Sequence, residues 1–161
     1  ELPFGRGHRW GSEWSGFLDA VLGGWQISGI YTYYSGVPLV FTGTMVAPQS
    51  VEKIGEHGRD KYWFDVTGFA RQPAYTRRSN PWTFDGLTGP SYNNLDLTLQ
   101  KTFRLKDRLR LQVRLDAFNA LNGMNWADPN LTITSSDFGK TNAQDAGYYG
   151  RQLQYAVRLE F

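Results

Sequence analysis

The chain has 161 residues, no cysteine, an aromatic content of 16% and a formal net charge of +2. The length fits one domain, and the weak charge does not indicate a nucleic-acid-binding protein. The lack of cysteine fits a reducing cytosol and equally a bacterial cell surface that does not depend on disulfides. No apolar run approaches the roughly eighteen residues of a membrane-spanning helix, but strands of a transmembrane β-barrel escape that test because only every second residue must be apolar.

The chain opens at Glu1 without an initiator Met or a signal-peptide pattern, so we expect a piece of a longer protein whose targeting segment lies upstream. "ELPFG" (1–5) is interpreted as the end of a strand. "SEWSGFLDAVLGG" (12–24) predicts a short amphipathic helix within a turn, with Ser15 as its N-terminal cap and Gly23 as its stop.

The first strong alternation is "GWQISGIYTYYSG" (24–36), which puts Trp25, Ile27, Tyr31 and Tyr33 on one face of a strand. Globular strands average about five or six residues, whereas a tilted membrane-crossing strand needs roughly nine to eleven. The length of this run therefore favours a bilayer. Its aromatic residues, and those of "YWF" (62–64), fit an interfacial belt or loop packing, with a sugar-stacking platform as the alternative.

Residues 37–90 hold most of the seven prolines and show no sustained periodicity. Loops this long are generally either functional or disordered. Short strands are predicted within it at "PLVFTG" (38–43) and "KYWFDVTGFA" (61–70), as extensions of strands beyond the membrane.

Two further alternating runs follow, "LDLTLQKTFRL" (95–105) and "RLRLQVRLDAFNALN" (108–122), joined by Lys106 and Asp107 as a two-residue hairpin turn. Lys101 interrupts the apolar side of the first run. Because it lies four residues from the turn, its amine is expected to reach lipid headgroups.

A second polar interval covers residues 122–150, and the chain closes on "RQLQYAVRLEF" (151–161), another alternating run. Long connections thus alternate with short ones, as in outer-membrane barrels, which have long loops outside and short turns in the periplasm. The charged residues on the polar backs of the strands are predicted to face a water-filled lumen and to pair across neighbouring strands. These candidates are Asp96, Arg110, Arg114, Asp116, Arg158 and Glu160.

Catalytic chemistry has little basis in the sequence. His8 and His57 are the only histidines and fall in different predicted loops, too few for a histidine-based zinc site unless carboxylates complete it. Asp60, Asp65 and Asp85 fit turn formation better than acid and base catalysis. We therefore expect neither an enzyme nor a bound metal or cofactor.

The ordered series "ELPFG", "GGWQISGIYTYYSGVP", "GPSYNNLDLTLQKTF", "LRLQVRLDAFNALN", "DPN" and "RQLQYAVRLEF" resembles the C-terminal end of TonB-dependent outer-membrane receptors, specifically the Oar-like group with a carboxypeptidase-regulatory-like N-terminal domain. The resemblance implies a barrel of about twenty-two strands, plugged by an N-terminal domain that contacts TonB. It also implies that the last strand is the signal read by the outer-membrane barrel assembly machinery, through Tyr155, Val157, Leu159 and Phe161.

The sequence thus predicts an all-β fold, an antiparallel up-and-down meander forming the C-terminal portion of a large transmembrane β-barrel with long extracellular loops. Residues 1–161 would be part of a single barrel domain in the bacterial outer membrane, importing an unknown ligand. Its expected partners are outer-membrane lipid, TonB through the plug, and the assembly machinery, with no nucleic acid. The rival is a soluble secreted β-sandwich or small barrel that binds carbohydrate through aromatic residues; a complete eight-stranded barrel would need four more lipid-crossing strands.

Overall fold

A computed structural model describes residues 1–105 and 108–161. The described residues form one helix and six strands: α1 (Gly16–Leu22), β1 (Trp25–Tyr34), β2 (Met45–Val46), β3 (Ala70–Arg71), β4 (Tyr92–Arg104), β5 (Arg110–Phe118) and β6 (Gln152–Glu160). No helix in the described part of the chain is long and apolar enough to cross a bilayer. The predicted turn at Lys106 and Asp107 lies outside the described residues.

The four long strands form one sheet in the order β1-β4-β5-β6. β5 runs antiparallel to both neighbours, with Leu115 opposite Leu99 on one side and Tyr155 on the other. Between β1 and β4, Gln26 hydrogen-bonds Gln100 and Tyr34 stacks on Tyr92. Residue numbers in contact thus increase along β1 and decrease along β4. These strands are therefore also antiparallel, and the predicted meander is confirmed.

Helix α1 begins where the sequence predicted. The Ser15 hydroxyl accepts a hydrogen bond from the Leu18 N–H at 3.4 Å, and the Gly23 N–H donates to the Asp19 carbonyl at the other end. A side-chain cap and a C-terminal glycine satisfy backbone groups that a helix leaves open at its ends. The "ELPFG" segment, in contrast, forms no strand, although the Leu2 N–H donates to the Trp25 carbonyl at 2.8 Å.

The chain divides into two compact units. The sheet unit comprises residues 1–32, 94–123 and 149–161, and the loop unit comprises residues 33–93 and 124–148. The buried hydrophobic side chains of the described chain all belong to the loop unit: Leu39, Phe41, Met45, Trp63, Phe64, Phe84, Leu87, Phe138 and Tyr148. Apolar packing in water therefore organises the loop unit and not the sheet.

The loop unit is built around aromatic rings in contact with each other. Phe41 meets Phe64 and Phe84 edge to face, with ring centroids 5.8 and 5.2 Å apart, and Phe138 contacts Phe64 in the same way at 5.6 Å. Burying each such ring contributes about 1.5–3 kcal/mol. Residues 37–90 are thus a folded part of the protein.

The two short strands predicted in this region are wrong in position. Residues 38–43 make only an isolated bridge, Pro38 to Thr88, and residues 61–70 contribute the bridge from Lys53 to Phe64 and the first residue of β3. The apolar alternation in these segments reflects packing into the aromatic core and not an extension of the sheet. The core residues concerned are Leu39, Phe41 and Phe64.

Candidate functional site

One face of the sheet is apolar across all four long strands. Leu115 lies between Leu99 and Tyr155, and Leu111 between Phe103 and Leu159, so apolar side chains meet in register. This surface is open: on β6, Tyr155 is 75% and Val157 71% exposed. A soluble protein buries such a continuous face, and nothing among the described residues of the sheet unit covers it over β6.

The strands are long enough to cross a hydrocarbon layer. Nine residues, the length of β5 and of β6, extend for about 30 Å. Tilted by roughly 40°, such a strand spans most of the apolar band of about 25 Å on transmembrane barrels. Length and exposure together indicate that lipid covers the apolar face.

Lys101 is the exception on this face, and the structure accounts for it. Its side chain is only 5% exposed, and its ammonium group donates hydrogen bonds to the Gly23 carbonyl and, at 3.5 Å, to the Asp19 carbonyl. The Nζ atom also lies 5.8 Å from the Trp25 ring centroid and 5.0 Å from that of Phe103. The sequence predicted a lysine reaching headgroups; instead, Lys101 binds the C-terminal end of α1, where cations are favoured.

The opposite face of the sheet is polar and carries all six lumen-facing candidates. Asp96 and Asp116 lie on β4 and β5, and the remaining four candidates lie on β5 and β6 at alternating positions, namely Arg110, Arg114, Arg158 and Glu160. Gln26 and Gln100 extend the same face to β1 through a side-chain hydrogen bond of 2.9 Å. The alternation thus separates a polar from an apolar surface over the whole sheet.

The ion pairs on this face differ from the predicted cross-strand arrangement. Arg114 pairs with Asp116 at 2.8 Å and Arg158 pairs with Glu160 at 3.2 Å, each pair within a single strand. Residues two apart on a strand share a face, so a long arginine side chain folds back along its own strand. Arg110 and Glu160 are opposite each other in register without forming an ion pair among the described contacts.

Two aspartates connect the polar face by hydrogen bonds. Asp116, which is buried, accepts a bond from the Thr98 hydroxyl of β4 at 2.6 Å. Asp96 accepts from the Asn119 backbone N–H at 2.9 Å, where the chain leaves β5 in a left-handed conformation (φ 49°). Both carboxylates therefore link β4 to β5, a structural role that alternation alone does not reveal.

The four residues of the predicted assembly signal lie together at the end of the chain. Tyr155, Val157 and Leu159 project from the apolar face of β6, and Phe161 follows the strand, almost fully exposed. On its free side β6 has no strand partner among the described residues. The signal residues thus form an exposed apolar stripe on an edge strand.

The loop unit contains an open cleft of about 280 Å³. Its lining includes three aromatic side chains, Tyr34, Tyr92 and Trp126, and two carboxylates, Asp128 and Asp145. Tyr34 and Tyr92 stack in parallel with centroids 4.6 Å apart. Partial desolvation, and secondarily the charge of Asp145, raise the pKa of Asp128 above its ordinary value. Flat apolar surfaces beside carboxylates suit a ligand with both apolar and hydrogen-bonding groups.

Two polar side chains hold the segments of the loop unit together. Asn125, 2% exposed, accepts a bond from the Asn93 N–H and donates one to the Asn93 carbonyl, both at 2.9 Å. Arg78 donates to the carbonyls of Phe41, Thr42, Asn80 and Pro81, and its guanidinium lies 3.8 Å from the Trp82 ring centroid. Sequence reasoning missed both, because their partners are dozens of positions away or are backbone atoms.

The two histidines lie in separate surroundings. His57 packs against the Trp126 ring at 4.5 Å, and His8 lies 3.7 Å from a Glu1 carboxylate oxygen. Within residues 1–105 and 108–161, no group of three or more His, Cys, Asp or Glu side chains could hold a metal ion. Asp65 forms a turn by accepting the Thr67 N–H at 2.8 Å. Hydrogen bonding from the Thr67 side chain, and secondarily from its backbone N–H, lowers the pKa of the Asp65 carboxyl group.

Comparison with known protein families gives a match over most of the chain. Residues 1–154 match the family model of the outer membrane beta barrel domain. Searches of the curated proteins and of the solved structures found no match. The matched range covers nearly the whole chain and all of β1, β4 and β5. The exposed apolar face, the polar reverse and this match lead to one conclusion: the chain belongs to the outer membrane β-barrel domain family and resides in the bacterial outer membrane.

Proposed function

We propose that the chain forms barrel wall and part of the mouth of a TonB-dependent outer-membrane transporter that imports an unidentified ligand. The observation that carries the proposal is the loop unit. Two connections between barrel strands fold together around an aromatic core and present a cleft, which is the arrangement expected of a receptor that captures its ligand before transport. The ordered motifs that resemble the Oar-like receptors support the same function.

In this proposal the loop unit lies outside the cell and the polar face of the sheet lines the lumen. TonB would act on a plug domain elsewhere in the parent protein, opening a path past Arg114, Asp116 and Arg158. Fixed charges along a pore attract or repel charged solutes and so contribute to selectivity. The proposal includes no catalytic step.

The soluble carbohydrate-binding alternative is not favoured. A soluble sandwich needs a second layer over the apolar face of the sheet. Val157 and Tyr155 instead remain open, and the aromatic residues of "YWF" divide between the packed core and the surface, with Trp63 and Phe64 buried.

The energy-coupling part can be tested on the complete parent protein. Its coding sequence is expected to contain a plug domain and a TonB-contacting segment, and the purified parent in detergent is expected to bind the purified periplasmic domain of TonB in calorimetry. The matched control is the parent without its plug, which should not bind. A parent that has no plug and does not bind TonB would disprove the transport mechanism while leaving the barrel intact.

We also propose that β6 is the strand recognised by the assembly machinery. Deletion of Phe161 and, separately, Leu159→Asp in the parent should lower the amount of heat-modifiable, folded barrel in outer membranes. Gln154→Asp introduces the same charge on the polar face of β6 and serves as the control, expected to assemble normally. Normal assembly of both test variants contradicts the signal assignment.

A further inference from the structure

Helix α1 is amphipathic, but its apolar side is exposed, whereas a helix in a water-soluble protein buries its apolar side. At 3.6 residues per turn, Phe17, Leu18, Val21 and Leu22 fall on one side, and Asp19 and Ala20 on the other. The apolar side is exposed, with Phe17 at 78%, and no residue of α1 is buried. Asp19 and Ala20 instead border a hollow beside β4, lined by residues from Lys101 to Leu105.

The end of α1 is fastened to the apolar face of the sheet. Lys101 and Trp25 both project from that face, since each lies at an odd position of its alternating strand. Lys101 donates to the carbonyls of Asp19 and Gly23, and the Trp25 indole N–H donates to the Val21 carbonyl at 2.9 Å. The helix is therefore held on the side of the sheet that faces lipid, near the end of the strands.

The carboxylate of Asp19, the acidic side chain of α1, already has a hydrogen-bond partner within the chain. The Asp19 carboxylate accepts the Arg6 N–H at 2.6 Å, so the one acidic side chain of α1 is directed to the chain itself. The outward side thus consists of apolar side chains only. Its surface continues the apolar face of a sheet whose neighbour is lipid, so the same medium that contacts Val157 is available to Phe17.

Residues that precede the helix in the chain have the composition of a membrane–water interface. Trp10 is half-exposed, and the Arg9 guanidinium lies 5.4 Å from its ring centroid. Tryptophan is enriched at the headgroup level of membranes, and exposed arginine pairs with lipid phosphate.

We propose that α1 is an interfacial helix, with Phe17, Leu18, Val21 and Leu22 inserted into the lipid leaflet at this end of the barrel and Lys101 fastening the helix to the wall. A short helix of this kind is stabilised by apolar burial at the boundary between headgroups and acyl chains. The inference rests on membership in the outer membrane barrel family and not on TonB-dependent transport, so the two proposals fail independently.

The test uses the complete parent protein in lipid vesicles, free of other cysteines, with Phe17→Cys or Val21→Cys labelled by an environment-sensitive nitrobenzoxadiazole dye. Nitroxide-labelled lipids quench dyes in the bilayer, whereas iodide quenches dyes in water. Val157→Cys on the sheet is the lipid control, and Tyr75→Cys, fully exposed in the loop unit, is the water control.

Both helix positions should lose fluorescence to the nitroxide lipids as Val157 does, with a blue-shifted emission and little response to iodide. A response like that of Tyr75 places the apolar side of α1 in water and overturns the inference. Protection from both quenchers shows that protein covers the apolar side of α1, and this result also overturns the inference. The heat-modifiable gel shift of each variant verifies that the barrel has folded, and two separate helix positions keep the result independent of either substitution.

Discussion

Lys101 stands among leucine, valine and phenylalanine side chains, and its ammonium group reaches carbonyl oxygens at the end of α1. Its sequence neighbours identify it as a break in the apolar pattern but cannot identify its partner. Gly23, which accepts its hydrogen bond, is far away along the chain. Local periodicity therefore detected the exception, whereas its explanation required the tertiary structure.

Replacing Lys101 tests whether its hydrogen bonds to the end of α1 stabilise the protein. In Lys101→Met the side chain keeps a similar length but donates no hydrogen bond, so the Gly23 carbonyl loses the Lys101 donor, while the Asp19 carbonyl still accepts from the Gly23 N–H. Leaving such a group unsatisfied typically costs about 1–3 kcal/mol. Guanidinium unfolding of the parent in vesicles should show a lower free energy of unfolding for Lys101→Met, and Lys101→Arg, which still donates, should lose less. Equal stability of the methionine variant and the parent would show that the hydrogen bonds of Lys101 to α1 do not stabilise the fold.

Asp128 should make the loop unit sensitive to pH. Because its folded-state pKa is raised, its contribution to stability is fully present below its ordinary unfolded pKa, and it is lost as the pH rises through the folded-state pKa. Protection of loop-unit amides, corrected for intrinsic exchange, should therefore decrease as the pH rises above the ordinary aspartate pKa of about 4. Asp128→Asn should remove that part of the decrease, and an unchanged pH profile in the variant would refute the assignment.

At the scale of elements, the long strands and α1 were predictable because their signals are local. Alternation identified β4, β5 and β6 within a few residues, and Ser15 and Gly23 marked the two ends of α1. The loop unit was not predictable in the same way. Its core depends on contacts such as Phe41 with Phe84 and Phe64 with Phe138, between segments that have no shared period.

Arg78 is expected to organise this unit. Arg78→Ala removes bonds to the carbonyls of Phe41, Thr42, Asn80 and Pro81 and the contact with Trp82. Limited proteolysis of the parent should therefore cleave residues 37–90 faster in this variant. Arg77→Ala, its exposed neighbour, is the matched control and should be cleaved at the parental rate. Identical cleavage of the two variants would contradict the role of Arg78.

The two faces of β5 provide a test of the lipid assignment. Leu115→Arg puts a cation on the apolar face, which should destabilise a barrel in lipid by about 2–4 kcal/mol near the middle of the membrane. Gln112→Arg adds the same side chain to the polar face and should have little effect. The free energies of unfolding in vesicles measure the difference, and equal losses would argue against lipid on the apolar face.

At the scale of the whole molecule, the sheet of the described chain has two edge strands, β1 and β6. Unpaired backbone groups in lipid cost several kcal/mol each, so a stable transmembrane sheet must close into a barrel. The all-β barrel fold class could be predicted from the sequence because alternation over long strands has few other solutions, whereas the TonB-dependent, Oar-like assignment implied by the motif resemblance stays a prediction. The ligand could not, since the cleft brings together Tyr34, Trp126 and Asp145 from separate segments.

Residues 1–161 alone should therefore not behave as a soluble protein. Expressed without detergent, they are expected to aggregate or to fold only in part, because the apolar face and both sheet edges meet water. Size-exclusion chromatography and thermal unfolding measure this directly. A monodisperse product with a single cooperative transition would instead favour the soluble alternative.

The separate aromatic core of the loop unit also has an evolutionary consequence. Since the core around Phe41, Phe64 and Phe138 includes no side chain of the four long strands, substitutions of Trp126 or Asp145, cleft residues outside those strands, need not disturb strand pairing in the sheet. The shape and charge of the cleft can therefore change by substitution while the long strands stay the same.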